Sequence, residues 1–495
     1  MADFIKINAI DNVIIALRDF QSGEFIQIED QRLQVINDVP KGHKMAIAPI
    51  STNENIIKYG DPIGHALQSI KPGEHVHVQN LKTNLSGTIA YSFNQKLNEL
   101  HYDQMNRTFE GYQRSNGKVG IRNEIWIVPT VGCVNGQAQQ IVDLFKSELA
   151  PRDIDGIEVF KHSYGCSQLG DDHINTQKAL ADVINHPNAG GVFVLGLGCE
   201  NNQIDQLKTF IGEYDRDRVR FLVAQDVEDE VEVGLEIIKE IYEHMRYDQR
   251  QSIPVSELKI GLKCGGSDGF SGITANPLLG SFSDYLVAQG GTTILTEVPE
   301  MFGAETILME RAQNQQVFDK TVNMINDFKD YYLQHNLPVY ENPSPGNKKG
   351  GISTLEDKSL GCTQKGGTAT VVDVLKYAEP IKKRGLNLLA APGNDLVAAS
   401  ALGFSGCQMV LFTTGRGTPF GSFIPTMKIS TNSDLYNKKK NWIDFNAGTL
   451  LEGQTMDQLL EEFIQFVIEV ACGNKLNHEK SGFKEIAIFK TGVTL

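Results

Sequence analysis

The hydrophobic and polar positions of the chain follow two different patterns. Over the first 85 residues, short β-branched runs such as "FIKINAI", "NVIIALRDF" and "KMAIAPI" are separated by Gly, Pro and Asn-Asp turns. Short runs of this kind predict strands, and the turns between them predict a compact all-β unit. We call residues 1–85 the β-module. The polar residues 86–110 that follow predict a linker.

Beyond residue 110, strand patterns alternate with helix patterns. "EIWIVPTVGC" predicts a buried strand and "NGQAQQIVDLFKSEL" an amphipathic helix, and "IEVFKHSYGC" with "DDHINTQKALADVINH" repeats the unit. Such alternation is typical of a parallel, doubly wound sheet. A second stretch of this kind begins near "LKIGLKCGGSDG". We therefore predict an α/β protein with an N-terminal all-β module and two Rossmann-like α/β domains, at residues 111–250 and 251–495.

Composition and charge narrow the possible partners. The 495 residues are 41% hydrophobic and 22% charged, as in ordinary soluble globular proteins. No apolar run approaches the ~20 residues of a membrane span, and no secretory signal pattern opens the sequence, so we expect a cytoplasmic protein. The net charge of −15 argues against nucleic acid or an anionic membrane as a partner. A small anionic substrate needs only a few local cations.

Four cysteines share one position in the pattern. The chain has seven cysteines and no CxxC pair, which argues against a disulfide framework or a zinc ribbon. Cys133, Cys166 and Cys199 are 33 residues apart, one βα unit, and each follows a glycine where a predicted strand ends; Cys264 ends a later strand in the same way. Ligands bind at the carboxyl ends of such strands. The thiols are either small buried side chains or ligands for iron or zinc.

Two groups of histidines are candidates for chemistry. His75 and His77 of "GEHVHVQN" alternate along a predicted strand and therefore point to one face, and His43 of "KGHK" is a third imidazole in the β-module. Three imidazoles can hold a divalent metal and leave positions open for substrate. His162, four residues before Cys166, is either a member of the crevice at the strand ends or a structural histidine.

Glycine-rich loops supply candidate cations. "SPGNKKGG" lacks the spacing of a P-loop, but its backbone N–H groups and Lys348 or Lys349 can cradle an anion. Arg122 in "GIRNE" and Arg416 in "TTGRGTP" either clamp a carboxylate or are solvated surface charges. "GLGCEN" is half of a dinucleotide fingerprint, with Asn201 in place of the third glycine, so the signal for a nicotinamide cofactor is weak.

Long words in a fixed order make the sequence recognisable. They are "KGHK", "GEHVHVQN", "TVGCVN", "HSYGCSQLGDDHINT", "GLGCENN", "CGGSDGFSGITANP", "ENPSPGNKKGG", "TTGRGTP" and "DFNAGT". By these words the whole chain resembles the altronate/galactarate dehydratase family, and "GDDHINT" resembles its altronate branch. The resemblance implies an SAF-type (β-clip) fold for the β-module. It also implies dehydration of D-altronate to 2-dehydro-3-deoxy-D-gluconate in hexuronate (galacturonate) catabolism, with Fe²⁺, or else Mn²⁺, as cofactor.

The implied reaction assigns roles to the candidate residues. A base removes the C2 proton, a divalent metal stabilises the enediolate, and an acid helps the C3 hydroxyl to leave. We expect His162 as the base and Glu200 or Asp268 as the acid or metal support. For substrate binding we expect Arg122, Asn276, Lys348 and Arg416. For the metal we expect His43, His75 and His77, with the thiolates Cys133, Cys166, Cys199 and Cys264 as the alternative.

Other readings of the sequence stay open. The thiolate set would indicate an iron–sulfur cluster instead of mononuclear iron, and the substrate could be a related sugar acid such as galactarate. A nicotinamide-dependent dehydrogenase and a non-catalytic sugar-acid-binding protein are the rivals from other classes. We expect a small-molecule sugar acid as the partner, and a homo-oligomer, most simply a dimer, as the assembly.

Overall fold

The β-module is built from short antiparallel strands. The structure is a computed structural model that describes residues 2–29 and 31–495. The strands of the module are β1 Phe4–Ile5, β2 Val13–Ala16, β3 Phe25–Ile28, β4 Gln31–Gln34, β5 Lys44–Ala46, β6 Asn55–Lys58, β7 Asp61–Ala66, β8 His75–Val76 and β9 Leu81–Lys82. They form a four-stranded sheet in the order β1-β2-β5-β8, a three-stranded sheet β6-β7-β9 and the hairpin β3-β4.

Residues 83–107 cross the surface of the second α/β region without forming a helix or strand. Tyr91, Phe93 and Leu100 pack against the apolar core of that region, and the Lys96 N–H donates to the Glu310 carbonyl at 2.7 Å. The predicted linker is therefore packed along its length. It leads into β10 Thr108–Gln113 and β11 Val119–Gly120, which pair antiparallel.

The first α/β region is built on four parallel strands in the order β13-β12-β14-β15, which we call the first sheet. These are β12 Glu124–Pro129, β13 Gly156–Val159, β14 Ala189–Gly196 and β15 Val219–Val223, with helices α1 Asn135–Leu149, α2 Gly170–Ile184, α3 Ile204–Ile211 and α4 Glu230–Met245. On β12, Ile125 and Ile127 belong to the core that includes α1 and α4, whereas Trp126 and Val128 face α2. Because both faces are covered, the strand is apolar at nearly every position.

The second α/β region, the second sheet, has seven parallel strands in the order β19-β20-β18-β17-β21-β22-β23. After β16 Gln251–Pro254, which pairs with β10, its strands are β17 Lys259–Cys264, β18 Thr292–Leu295, β19 Val371–Leu375, β20 Gly385–Leu389, β21 Met409–Thr414, β22 Thr426–Ser430 and β23 Phe445–Asn446. Its helices are α5 Ala275–Ala288, α6 Glu305–Met309, α7 Gln315–Gln334, α8 Pro345–Lys349, α9 Leu355–Cys362, α10 Asp395–Phe404, α11 Ser433–Lys438, α12 Met456–Ala471 and α13 Asn477–Lys480.

The two sheets share a continuous apolar layer. Trp126 of the first sheet contacts Phe423 of the second edge to face, with ring centroids 5.6 Å apart. His186 Nε2 lies 3.0 Å from the Cys407 carbonyl across the same boundary. The predicted fold class, an all-β module followed by parallel α/β regions, is confirmed. Among the described residues, no helix is both long and apolar enough to cross a membrane.

Candidate active site

The β-module lies against the carboxyl edge of the second sheet, where β17 ends. Here the backbones approach so closely that only glycine fits on the facing loops. A Cβ on Gly269 would lie 2.0 Å from the Gly42 carbonyl oxygen, and a Cβ on Gly351 would lie 2.2 Å from the same atom. "KGHK" of the module thus meets the loops "CGGSDG" and "NKKGG", and we call the region beside this contact the crevice.

The three histidines of the β-module come together in this crevice. The ring centroids of His43 lie 5.1 Å from those of His75 and 5.0 Å from those of His77, and the His75 and His77 centroids are 5.6 Å apart. His43 Nδ1 is 3.0 Å from His75 Nε2. The alternation of "HVH" along one strand places two of the rings on the same face, as the sequence predicts.

Groups from the second α/β region fix the orientation of two of these rings. His43 Nε2 lies 3.2 Å from the Lys349 carbonyl, and His77 Nδ1 lies 2.9 Å from Ser353 Oγ. A carbonyl accepts only from N–H, so the His43 proton is on Nε2 and its lone pair is on Nδ1, facing His75. Metal-ligating histidines are held in this way by a partner on the other nitrogen.

The imidazoles are neutral at pH 7. Burial lowers the pKa of all three, that of His75 to about 4 and that of His77 to about 3. The nearby Lys44 ammonium acts in the same direction on each, and neighbouring rings do so on His75 and His77. Neutral imidazole is the form that donates a lone pair to a metal or to a proton. All three rings can therefore donate a lone pair, although among the described residues their nitrogen atoms do not all lie within 4.8 Å of one another.

An ion triad beneath the crevice joins the module to helix α9. Lys44 and Lys58 of the module each donate to one oxygen of Asp357 at 2.8 Å, and all three side chains are buried. Burial alone would raise the pKa of Asp357, but the two ammonium groups hold it well below its ordinary value. Burial lowers the pKa of Lys44 to about 8. Asp357 can stay ionised in the interior only while the two lysines of the β-module are in place, so the ion triad ties the module to helix α9.

A second buried cluster lies at the end of β17. Cys264 Sγ is 3.4 Å from Cys362 Sγ and 3.1 Å from Glu300 Oε2, and Cys362 Sγ is 3.3 Å from the same oxygen. Within residues 2–29 and 31–495, these are the one group of three or more His, Cys, Asp or Glu side chains whose possible metal-ligating atoms all lie within 4.8 Å of one another. They form a possible metal-binding site of mixed sulfur and oxygen character.

Ammonium groups already balance this cluster. Lys365 Nζ lies 2.8 Å from Cys264 Sγ, and Lys358 Nζ lies 2.6 Å from Glu300 Oε1. Burial would raise the pKa of Glu300, but Lys358 and Lys365 lower it to about 2. A dication placed among Cys264, Glu300 and Cys362 would face two neighbouring positive charges. A dication at the partly exposed imidazole trio would be repelled by one neighbouring ammonium group, that of Lys44.

Of the predicted substrate-binding residues, Lys348 and Arg416 border the crevice. Lys348 follows Asn347 in helix α8, one residue before the carbonyl that holds His43. The Arg416 N–H donates to the Gly266 carbonyl at 2.9 Å, which places the residue beside the loop after β17. Neither side chain makes a hydrogen bond or ion pair with any of the described residues. Both cations are therefore available to an anionic ligand.

The other two predicted substrate-binding residues are engaged inside the protein. Asn276 is fully buried; its Nδ2 donates to the Gly361 carbonyl and its Oδ1 accepts from Thr413 Oγ1. All five N–H groups of Arg122 bond to Glu479 or to backbone carbonyls, and the side chain is fully buried. Arg122 has no free donor for a substrate and Asn276 is fully buried, so this geometry favours structural roles for both residues.

The predicted acid–base residues do not share one place. Asp268 lies at the crevice edge, where its carboxylate accepts from Thr431, Ser271, Asn432 and the Phe270 N–H, and burial raises its pKa. His162 and Glu200 lie at the carboxyl edge of the first sheet. With every lone pair of its oxygens directed at loop atoms, Asp268 fixes the loops after β17, β21 and β22.

His162 has no free nitrogen for proton transfer. Its Nε2–H donates to the Pro129 carbonyl at 2.8 Å, and its Nδ1 accepts from the Tyr164 N–H at 3.1 Å. Glu200 accepts from the Thr130 hydroxyl and from the N–H groups of its own turn at Leu197. This geometry favours structural roles for both at the first sheet.

The two aspartates after Cys166 differ from each other in their surroundings. Residue Leu169 precedes helix α2 and no side chain caps it. Asp172 instead accepts from the N–H groups of Thr491 and Gly492 in the C-terminal segment, and Asp171 is exposed. Both aspartates therefore lie in the first turn of α2 without capping it.

The four strand-end cysteines divide into two groups. Cys133, Cys166 and Cys199 are exposed at the edge of the first sheet, whereas Cys264 is buried at the edge of the second sheet beside Cys362. The sequence gives no sign of Glu300, Lys358, Lys365 or Ser353 as members of the site. The charged run of helix α9 would be expected to face solvent, but its charged residues are all buried. Only the structure shows that they belong to the site.

Comparisons with known proteins agree along the whole chain. Three family models match in succession: the altronate/galactarate dehydratase SAF domain over residues 2–84, the second domain of D-galactarate dehydratase/altronate hydrolase over 111–246, and the C-terminal domain of D-galactarate/altronate dehydratase over 255–494.

Individual relatives are similar over nearly their full lengths. The chain is 60% identical to the altronate dehydratase of Bacillus subtilis (strain 168), with 100% of both chains covered. It is 55% identical to the altronate dehydratase of Escherichia coli (strain K12), covering 99% of this chain and 100% of that one. It is 34% identical to the galactarate dehydratase (L-threo-forming) of Escherichia coli (strain K12), covering 96% of this chain and 94% of that one.

Proposed function

Because this chain belongs to the altronate/galactarate dehydratase family, we propose that it removes water from D-altronate and gives 2-dehydro-3-deoxy-D-gluconate in hexuronate catabolism. The chain is an enzyme of the hydro-lyase class. Altronate is favoured over galactarate because the identity to the two altronate dehydratases exceeds the 34% identity to the galactarate dehydratase.

The observation that carries the proposal is the composition of the crevice. Three neutral imidazoles of the β-module lie at the carboxyl edge of the second sheet. The loops there also carry Lys348 and Arg416, whose side chains have no hydrogen bond or ion pair within the described part of the chain. A sugar acid offers a carboxylate for the cations and hydroxyl groups for a metal centre. We assign Lys348 and Arg416 to the substrate carboxylate because Arg and Lys pair with such groups in this kind of site.

Divalent metal dependence is part of the proposal, with Fe²⁺ as the ion and Mn²⁺ as the alternative. The chemistry of the donors supports it: the rings of His43 and His77 are held by Lys349 and Ser353, and the rings are neutral at pH 7. A divalent ion bound there would supply Lewis acidity to the carboxylate end of the substrate. The cluster of Cys264, Glu300 and Cys362 is the alternative site, disfavoured by its two ammonium neighbours.

Each imidazole of the trio has one lone pair, which it gives either to the ion or to the C2 proton of the substrate. Metal content and turnover of His43→Ala, His75→Ala and His77→Ala distinguish the two roles. A ligand variant loses bound iron and activity together, whereas a variant of the proton acceptor keeps its iron and loses turnover. If all three variants bind iron and turn over normally, the crevice is not the active site.

The substrate is tested with a keto-acid assay of the iron-reconstituted enzyme under anaerobic conditions. We expect keto acid from D-altronate and a much lower kcat/KM for galactarate. Chelation should abolish turnover and added Fe²⁺ should restore it. Full activity after rigorous removal of metal would exclude the metal-dependent reaction, and equal turnover of both sugar acids would exclude strict altronate specificity.

The organisation of the chain follows from the same proposal. We propose an SAF-like domain at residues 1–85, a connecting segment at 86–110, and α/β domains at 111–250 and 251–495. The ranges of the three family matches support this division. Cytoplasmic location and a homodimer stay predictions, which cell fractionation and light scattering can measure.

A further inference from the structure

We propose that Cys133, Cys166 and Cys199 together bind an iron–sulfur cluster of the [4Fe–4S] type at the carboxyl edge of the first sheet. The inference does not depend on the proposed substrate. Strands β13 and β14 flank β12 in the sheet, so the turns that carry Cys166 and Cys199 both border the turn that carries Cys133. Three thiolates would hold three irons of the cluster, and the fourth iron would lack a cysteine.

Hydrogen bonds between the turns fix their mutual positions. The Gly132 N–H donates to the Tyr164 carbonyl at 3.0 Å, next to the first and second cysteines. The Asn202 N–H donates to the Gly165 carbonyl at 2.9 Å, between the second and third turns. Gly165 has φ +101°, and a Cβ there would lie 2.1 Å from the Thr130 carbonyl oxygen. The three thiols therefore project from one rigid edge.

Helix N-termini and hydrogen-bond donors lie near the thiols. Helix α1 begins directly after the turn of Cys133, and α2 begins four residues after Cys166, so the positive ends of two helix dipoles face this edge. Gln225 Nε2 lies 3.8 Å from Cys199 Sγ, and Ser167 Oγ lies 3.6 Å from Cys166 Sγ. Donors near sulfur are among the features that tune such clusters. The thiols are free and exposed, which leaves room for a bound group.

Buried amides beside the thiols lack partners. Gln168 is 2% exposed; its Oε1 accepts from the Gly165 N–H at 3.4 Å, but its Nε2 has no partner among the described residues. Asn202, in the turn of Cys199, is fully buried and its Oδ1 likewise lacks a partner in the described part of the chain. An unpaired buried polar group costs about 1–3 kcal/mol. Such groups around the three thiols point to a ligand at this edge.

A cluster fits the spacing better than a single ion does. Two thiolates on one zinc, each about 2.3 Å from it, are never more than about 4.6 Å apart. In the described part of the chain these three sulfurs do not form a group within 4.8 Å. In a cluster each thiolate binds a different iron, so the sulfurs are spaced more widely. Cys264 cannot complete the set, because it is buried at the second sheet, 3.4 Å from Cys362.

The test is anaerobic reconstitution of the full chain with Fe²⁺ and sulfide, followed by measurement of iron, acid-labile sulfide and the visible spectrum. We expect about four acid-labile sulfides per chain, about four irons in addition to the iron of the crevice, and a broad absorption band typical of thiolate-bound iron. Cys133→Ser, Cys166→Ser and Cys199→Ser should each lose most of the labile sulfide. Cys407→Ser and Cys472→Ser, which lie outside both candidate metal sites, are the controls and should keep it.

Folding of the variants is checked by circular dichroism and melting temperature before reconstitution. Exposed Cys→Ser changes should leave the unloaded protein folded, because they remove no buried contact. If a serine variant is unfolded, the corresponding alanine variant replaces it. The proposal is overturned if the wild-type chain acquires no labile sulfide, if the three serine variants retain as much as the controls, or if Zn²⁺ binds stoichiometrically while iron and sulfide do not.

Discussion

The carboxyl edges of the two parallel sheets are made from the same kind of sequence but differ in what surrounds them. At both, a buried strand ends in glycine and cysteine and a helix follows. At the second sheet the β-module covers the edge, and Cys264 is buried among Glu300, Lys358 and Lys365. At the first sheet the cysteines are exposed and the neighbouring histidine and glutamate bond to their own loops.

The difference shows that a covering module changes what an edge can do chemically. Burial beneath the β-module forces charges such as Asp357 to be paired and lowers the pKa of the crevice histidines. The open edge of the first sheet imposes no such pairing and leaves thiols free for a soft metal. Function at the second edge therefore depends on both the β-module and the second α/β region, whereas function at the first edge depends on the first α/β region alone.

The largest expected effect comes from removing the charge that joins module and sheet. Asp357→Asn leaves Lys44 and Lys58 buried without the carboxylate they share and should cost about 3–5 kcal/mol of unfolding free energy. Urea denaturation measures it. Asp434→Asn, which removes the exposed partner of Lys41, is the control and should cost less than about 1 kcal/mol. Equal costs would show that the module does not depend on the triad.

A loss of activity almost as large is expected at the crevice. His75→Ala should reduce kcat/KM by about 10²-fold or more, since it removes a metal ligand or the proton acceptor. Ser353→Ala, which frees His77 Nδ1, should cost about 10-fold to 100-fold through orientation alone. Steady-state kinetics measures both, with the exposed His101→Ala as control. Normal kinetics of His75→Ala would place the chemistry away from the β-module.

At the first edge, the effect should be on stability. His162→Gln removes a buried ring that bonds to Pro129 and Tyr164, so we expect a loss of about 1–3 kcal/mol with kcat changed by less than about threefold. The sequence pattern alone predicts the opposite, a base whose loss stops the reaction. Melting temperature and kcat of this one variant decide between the two. A folded variant without turnover would restore His162 as the base.

Acid should weaken the second edge through Asp357. Its folded pKa lies well below the ordinary 3.8, so the unfolded chain binds the proton first and the stabilisation is present above about pH 3.8 and lost as the pH falls further. The slope is at most about 1.4 kcal/mol per pH unit for one proton. Urea titrations of wild type and Asp357→Asn should differ by this slope. Parallel curves would show that Asp357 does not titrate in this range.

The smallest effect is expected at Asp171. The side chain is exposed and does not cap helix α2, so Asp171→Asn should change the unfolding free energy by less than about 0.5 kcal/mol. Asp172→Asn is the informative neighbour, because it weakens the bonds to the Thr491 and Gly492 N–H groups. Thermal denaturation of the pair checks whether the C-terminal segment stabilises this edge. Equal melting temperatures would assign the segment no such role.

Local features of the fold were predictable from the sequence because they depend on local periodicity. The buried run of β12 and the amphipathic pattern of α1 each fix an element through the burial of their own side chains. The "HVH" alternation placed His75 and His77 on one face, and the turn glycines placed Cys133, Cys166 and Cys199 at strand ends. In each case the residues that interact lie close in sequence or one βα unit apart.

Which residues share a site was decided only by the tertiary structure. His43 meets the Lys349 carbonyl 306 positions away, and Lys44 meets Asp357 313 positions away. Arg122, taken from its loop as a substrate cation, is instead the fully buried partner of Glu479, 357 positions away. Periodicity and turn chemistry state which face of an element is buried, but not which other element buries it. Which charges pair across the chain depends on which elements pack together. The sequence therefore determined the elements and the candidate groups, while long-range packing alone decided which of these groups remain unpaired and available to a ligand.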